Sequence, residues 1–276
     1  MSYSFLSDHR YRMPTHFGPS LGPRQGPDGQ GFSGADSTKD TVVQATFEAE
    51  AKQLEQFLPP GFSLREPSLV TLSFAYATDI AWLAGRGYST FGVSIPTHYS
   101  GQDDQVDGDL LLVFWENMAD PIITGREDLG FAKLYCEIPN PQFIGDKVIC
   151  RASWDGCQFA CLELSGLKSI APEELPASQP SDGTLHYKYI PKTGCPGEAD
   201  AAYPVLTPAD DPYTSIEKAM VAKTATCHFR TSTWEELPTL VNIVNAFSGL
   251  RLGACVEASV LNTRGGKDLS DQRILY

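Results

Sequence analysis

Turn-forming residues break this chain into short runs, and that spacing constrains its fold more than any other feature. Pro59-Pro60-Gly61, Asp155-Gly156 and Gly166 each end a run before a long helix could develop. Between such breaks, apolar and β-branched residues predict strands around 42–47, 69–76, 88–96 and 110–115. Further strands are predicted at 135–138, 147–154, 158–167, 187–190, 223–231 and 255–261. Helical spacing is confined to 48–57, 121–129 and 237–247, the last with Leu240, Ile243, Val244 and Phe247 inward and Gly249 beyond its end. Segments 171–183 and 192–203 read as loops. The pattern describes one α+β domain dominated by antiparallel sheet, with few helices.

The domain is expected over 41–262, between an extended N-terminal arm at 1–40 and a polar C-terminal tail at 263–276. Pro14, Pro19, Pro23 and Pro27, interleaved with glycines, leave the arm no room for a ladder or a helix. Tyr11, Phe17 and Phe32 favour wrapping over the body, because a free tail gains nothing from aromatic residues.

Charge narrows the partners. The 34 acids against 21 bases give a formal net charge of −13, a field that repels phosphate backbones and anionic membrane faces. No apolar run reaches bilayer length and residues 1–17 show no signal-peptide pattern, so a soluble cytoplasmic protein without nucleic-acid or membrane partners is expected. The seven cysteines lack a CxxC pair and read as reduced, semi-buried apolar residues. The five histidines share no ligand spacing, and the sequence does not require a metal. Dinucleotide, P-loop, nucleophile-elbow and zinc-protease motifs are absent.

One segment stands apart, Gly125-Arg126-Glu127-Asp128-Leu129-Gly130-Phe131-Ala132-Lys133-Leu134. Lys133 sits among Phe131, Ala132, Leu134 and Tyr135, an apolar setting for an ammonium. It is either a lysine alternating outward on an edge strand or a desolvated one. Burial disfavours the charged form and lowers the pKa. A neutral amine can attack a ketone and form a Schiff base. Patterning alone leaves both readings open.

Gly125-Arg126-Glu127 followed by Phe131-Ala132-Lys133-Leu134 resembles the lysine segment of the acetoacetate decarboxylase family. Pro23-Arg24, Leu58-Pro59-Pro60-Gly61-Phe62, Tyr88-Ser89-Thr90 and Ile95-Pro96 follow the family's order, and the likeness runs from about residue 12 to residue 261. The resemblance implies a largely antiparallel sheet closed into a cone or barrel around a central pocket, and a homo-oligomer. It implies that Lys133 forms an imine with a keto acid or ketone, without a cofactor. Arg24 would hold a substrate carboxylate by charge-assisted bonds.

Two positions depart from the family pattern. The second lysine of its pair is Leu134, which leaves desolvation as the means of keeping Lys133 neutral. Its glutamate after the tyrosine is Thr90, a hydroxyl that positions water but carries protons poorly at neutral pH. Glu116 compensates if it points inward; otherwise it caps a turn or pairs with an arginine. Arg126 and Glu127 are expected as a buried pair supporting the lysine segment.

The leading expectation is a cofactor-free lyase that decarboxylates a β-keto acid. The two departures and the aromatic supply around the site favour a bulky substrate of specialised metabolism. A Schiff-base aldolase or dehydratase, a lysine-independent isomerase or cyclase, and a non-catalytic small-molecule-binding barrel are the alternatives.

Overall fold

The computed structural model describes residues 4–34, 38–177 and 179–276. Residues 1–3 and 35–37 of the expected arm, and residue 178 of the expected loop, lie outside the described residues. The larger sheet holds β1 (Lys39–Ala49), β2 (Phe62–Leu64), β3 (Leu69–Ile80), β4 (Arg86–Ser100), β5 (Gln105–Glu116) and β6 (Lys133–Tyr135). The smaller holds β7 (Gln142–Ile144), β8 (Lys147–Trp154) and β9 (Cys157–Ser165). The larger resumes with β10 (Lys168–Ile170), β11 (Gly183–Pro191), β12 (Ala199–Pro208) and β13 (Ser215–Val221). The smaller sheet then takes β14 (Thr224–Phe229), and the larger takes β15 (Leu252–Arg264) and β16 (Arg273–Ile274). Helices α1 (Ala51–Glu55), α2 (Ala119–Thr124) and α3 (Val241–Ser248) are short, as the turn signals require.

The larger sheet runs β10-β13-β15-β1-β3-β4-β5-β11-β12-β16, with β2 beside β4 and β6 beside β5. The expected cone or barrel is corrected here: no sheet is closed among the described residues. Closure requires the first and last strands to share a ladder. Here β10 has three residues and pairs with β13, while β16 has two and pairs with β12. Neither terminal strand bonds the other. The α+β, mostly antiparallel character stands; parallel pairing is confined to β5–β6 and β5–β11.

The expected loop at 192–203 gives way partly to β12, whose backbone groups find partners along β11 from Gly183↔Pro208 to Pro191↔Ala199. The expected helix at 48–57 starts later, because β1 continues to Ala49 opposite Leu252. Part of the polar tail is strand: β15 reaches Arg264, and β16 docks on β12.

Alternation along the strands separates two environments. Val43, Phe74, Phe91 and Trp115 form one row across β1, β3, β4 and β5 and face the core. Phe74 stacks on Phe91 at 4.1 Å between centroids, and Phe91 on Trp115 at 5.1 Å. The smaller sheet and α3 close this face through Phe159, Phe229 and Phe247. All seven cysteines are free, and Cys136 and Cys150 are buried. The opposite face of the same strands carries the candidate site residues.

Candidate active site

The rows flanking the core row point the other way. Val42, Ala75, Thr90 and Glu116 form one, Asp40, Ala77 and Tyr88 another, and Phe114 lies beside Lys133. Over them opens a cavity of about 350 Å³, the size of an ordinary small-molecule site. Ala75 and Ala77 supply the space: their short side chains leave room between the larger groups on β1 and β4.

Lys133 begins β6, which runs parallel to β5 with Lys133 opposite Phe114. The chain returns to that position through α2 and a π-helical turn, Gly125–Leu129, both packed over the lysine. Lys133 lines the cavity and is 7% exposed, so the inward reading of its apolar setting is the one realised. Its Nζ lies 2.7 Å from Glu116 Oε1 and donates to the Pro121 carbonyl at 3.1 Å. The rings of Phe114 and Phe131 lie 5.4 and 5.7 Å from it, within cation–π range. Phe131 in turn stacks on buried His186, whose imidazole burial pushes down to about 4. That histidine packs the site from behind.

Glu116 is fully buried and points inward to the lysine. Apart from that 2.7 Å approach of Lys133, neither carboxylate oxygen has a hydrogen-bond partner among the described residues. A carboxylate so poorly solvated resists ionisation. Burial pushes the Lys133 amine down; Glu116 opposes this, and the positive charge of Arg24 adds to it. Burial likewise pushes the Glu116 carboxyl up, against the pull of Lys133. Both shifts favour the uncharged pair, an amine beside a carboxylic acid.

Leu134 explains how the site dispenses with a second lysine. Successive strand residues point to opposite faces. Leu134 therefore packs toward the core side, with Phe57, Ile243 and Phe247 around a separate apolar cavity. A charge there would not adjoin the Lys133 amine. Burial and Arg24 act on that amine instead.

Arg24 reaches the cavity from the arm, which lies over the body with Pro23 and Phe32 also on the cavity wall. Its Nη2 donates to Asp128 Oδ2 at 2.6 Å, and Arg12 Nη1 holds the same oxygen at 2.7 Å. The Arg24 side chain is 5% exposed, and its buried Nε has no hydrogen-bond partner among the described residues. Thr90 is buried on the cavity wall opposite Glu116. Arg126 and Glu127 stay outside the cavity, and the expected buried pair between them is corrected. Arg126 is exposed and donates to the Lys133 carbonyl at 2.8 Å, while the Glu127 carbonyl accepts from Lys188 Nζ at 2.7 Å. The π-helical turn directs each toward a neighbouring strand.

Three contributors went unread in the sequence. Asp40 lines the cavity, and its place two residues before Val42 on an alternating strand was the available signal. Residues 265–269 form part of the cavity wall, with no local signal in their polar composition. Gly125 is the third. A Cβ there would overlap Lys133 Cδ, Cε and Nζ, although the helical backbone (φ −68°) accepts any residue. Gly125→Ala is thus expected to keep the melting temperature, since the overlapping atoms are the end of a flexible side chain. If Lys133 forms an imine, displacement of its amine should slow that step about tenfold. Thermal melts and borohydride trapping rates check the two halves.

Fold and site together define a class: an α+β protein with a buried lysine facing a cavity on one side of a large sheet. A sequence model of the family described as acetoacetate decarboxylase (ADC) matches residues 12–265. The chain belongs to the acetoacetate decarboxylase family. Among solved structures, it is similar to acetoacetate decarboxylase from Legionella pneumophila, with 17% identity, TM-score 0.66, and 91% of this chain and 92% of that one covered. The enduracididine biosynthesis enzyme MppR complexed with pyruvate shows 15% identity and TM-score 0.65 over 91% and 95%. An acetoacetate decarboxylase-like enzyme from Sphingomonas wittichii RW1 shows 16% identity and TM-score 0.61 over 93% and 99%. No curated protein sequence matches the chain. Family membership supports a lyase activity of this family's type. Among the described residues no helix is long and apolar enough to cross a membrane, and no cluster of three or more His, Cys, Asp or Glu could hold a metal ion.

Proposed function

We propose that this protein decarboxylates a β-keto acid through a Schiff base at Lys133. The observation that carries the reading is the buried amine on the cavity wall, 2.7 Å from a fully buried carboxyl group. The neutral Lys133 Nζ attacks the substrate ketone, and the oxygen leaves as water, taking one proton from the amine nitrogen and one from solvent in the cavity. The resulting iminium accepts the electron pair of the breaking C–C bond as carbon dioxide leaves. Glu116 then gives its proton to the enamine carbon, and water hydrolyses the iminium to release the ketone and free the amine, the proton set free returning to Glu116. Glu116 thereby fills the proton-carrying role that Thr90 cannot.

Arg24 orients the substrate carboxylate at the cavity wall. Its shared hold on Asp128 tempers that attraction. This suits the chemistry, because a carboxylate gripped too tightly in the ground state resists leaving.

A second reading keeps the imine and changes its fate to aldol condensation. MppR complexed with the condensation product of pyruvate and imidazole 4-carboxaldehyde shares this fold at TM-score 0.61 and 16% identity. One experiment addresses both. The wild-type protein is incubated with β-keto acids or pyruvate, reduced with borohydride and weighed intact. A mass increase localised to Lys133 with stoichiometric carbon dioxide is expected. An adduct without carbon dioxide favours the condensation reading. No adduct with any ketone removes both.

A further inference from the structure

Charged groups on the cavity wall are matched, with one exception. Lys133 faces Glu116, Arg24 holds Asp128, and Lys267 pairs with Asp271 at 2.7 Å. Asp268 accepts two bonds from Ser270 and lies in the field of Arg24. Asp40 is different: it makes no ion pair or side-chain hydrogen bond among the described residues, though half-buried. Its neighbour Lys39 offers no relief, being paired with Asp79 at 2.7 Å. Burial alone pushes the Asp40 carboxyl up to about 6, with no nearby cation to oppose it.

Position gives this carboxylate a meaning. Asp40 lies on β1 and Lys133 on β6, and the sheet order sets β3, β4 and β5 between them. The two therefore mark opposite sides of one cavity, with Tyr88 and Thr90 along the wall between. Asp40 also borders a second, hydroxyl-rich cavity that shares Gly265, Gly266, Lys267 and Leu269 with the first.

We propose that Asp40 is a specificity residue that binds a protonated amine carried by the substrate several bonds from its ketone. The assignment of the ketone to the Lys133 side rests on the Schiff-base reading. The substrate class is then an amino-substituted β-keto acid, its carboxylate and ketone at Arg24 and Lys133 and its ammonium at Asp40. The cation would supply the partner that the protein leaves out, and a charge-assisted hydrogen bond is the stronger kind.

The test uses ligands without a ketone, so it stands apart from imine chemistry. Binding of 5-aminopentanoate through 8-aminooctanoate is compared with the unsubstituted alkanoates by calorimetry. At one chain length the amino ligand should bind about tenfold more tightly, and Asp40→Asn should remove that advantage while leaving the alkanoate unchanged. Asp40→Asn should melt no lower than the wild type, since it deletes an unpaired, partly buried charge. Equal affinity for amino and alkyl ligands at every length overturns the proposal, as does an Asp40→Asn variant that weakens both alike. Failure of borohydride trapping with every ketone would instead remove the Schiff-base reading and leave the amine preference as measured.

Discussion

Lys133→Met is expected to abolish the borohydride adduct and lower turnover on the order of 10³-fold or more, because no other cavity amine stands beside Glu116. The same substitution has a second consequence, in stability. It strands a fully buried carboxyl that has no other hydrogen-bond partner among the described residues. Breaking a buried pair from one side costs ~3 kcal/mol when the remaining group stays charged. Glu116 escapes part of that cost by protonating, since burial already pushes its pKa up and the opposing pull of Lys133 is gone. A carboxyl whose folded pKa exceeds its unfolded value binds more protons folded than unfolded. The variant therefore keeps its stability below the unfolded value and loses it as pH rises through the folded one. Denaturant melts across pH should show that slope. The double variant Lys133→Met with Glu116→Leu should flatten it, because the buried carboxyl that titrates is gone. A Lys133→Met protein that still forms the adduct would end the mechanism; one whose stability does not respond to pH would show that Glu116 finds another partner.

The lysine was legible in the sequence because its motif is local: Gly125-Arg126-Glu127 and Lys133 lie within nine residues. The inward turn of Glu116 was legible in principle from alternation. Trp115 belongs to the core row, so Glu116 must share the face of Phe114. What stayed hidden depends on distant pairing. Whether the sheet closes is decided by β10 and β16, strands of three and two residues whose sequences carry almost no register information. The role of Gly125 depends on where a side chain eight residues later lies, and the role of Leu134 on which sheet face follows Lys133. Asp40 was the least legible. A strand's first acid is ordinarily a solvated end, and only the tail at 265–269 and the strands beside it turn this one into a cavity wall.

Glu116→Gln separates the steps that Lys133→Met removes together. The amide keeps the shape of the carboxyl but carries no charge and has no acidic proton. Glu116 raises the pKa of Lys133 by its charge and contact, whereas burial and Arg24 lower it. Removing the carboxylate leaves only the lowering influences. More of the amine is then neutral at any given pH, and imine formation should extend to more acidic solution. Loss of carbon dioxide from the iminium needs no proton from residue 116, so a first equivalent per site should appear at near wild-type rate. Protonation of the enamine does need one, and a positioned acid contributes on the order of 10²-fold or more. The expected trace is a burst of carbon dioxide of one equivalent per site, followed by turnover slowed about a hundredfold. Rapid-quench measurement of carbon dioxide resolves the two phases. Undiminished steady turnover would move the proton-carrying role to another group on the cavity wall, such as Tyr88. Loss of both burst and adduct would instead assign Glu116 to positioning Lys133 alone.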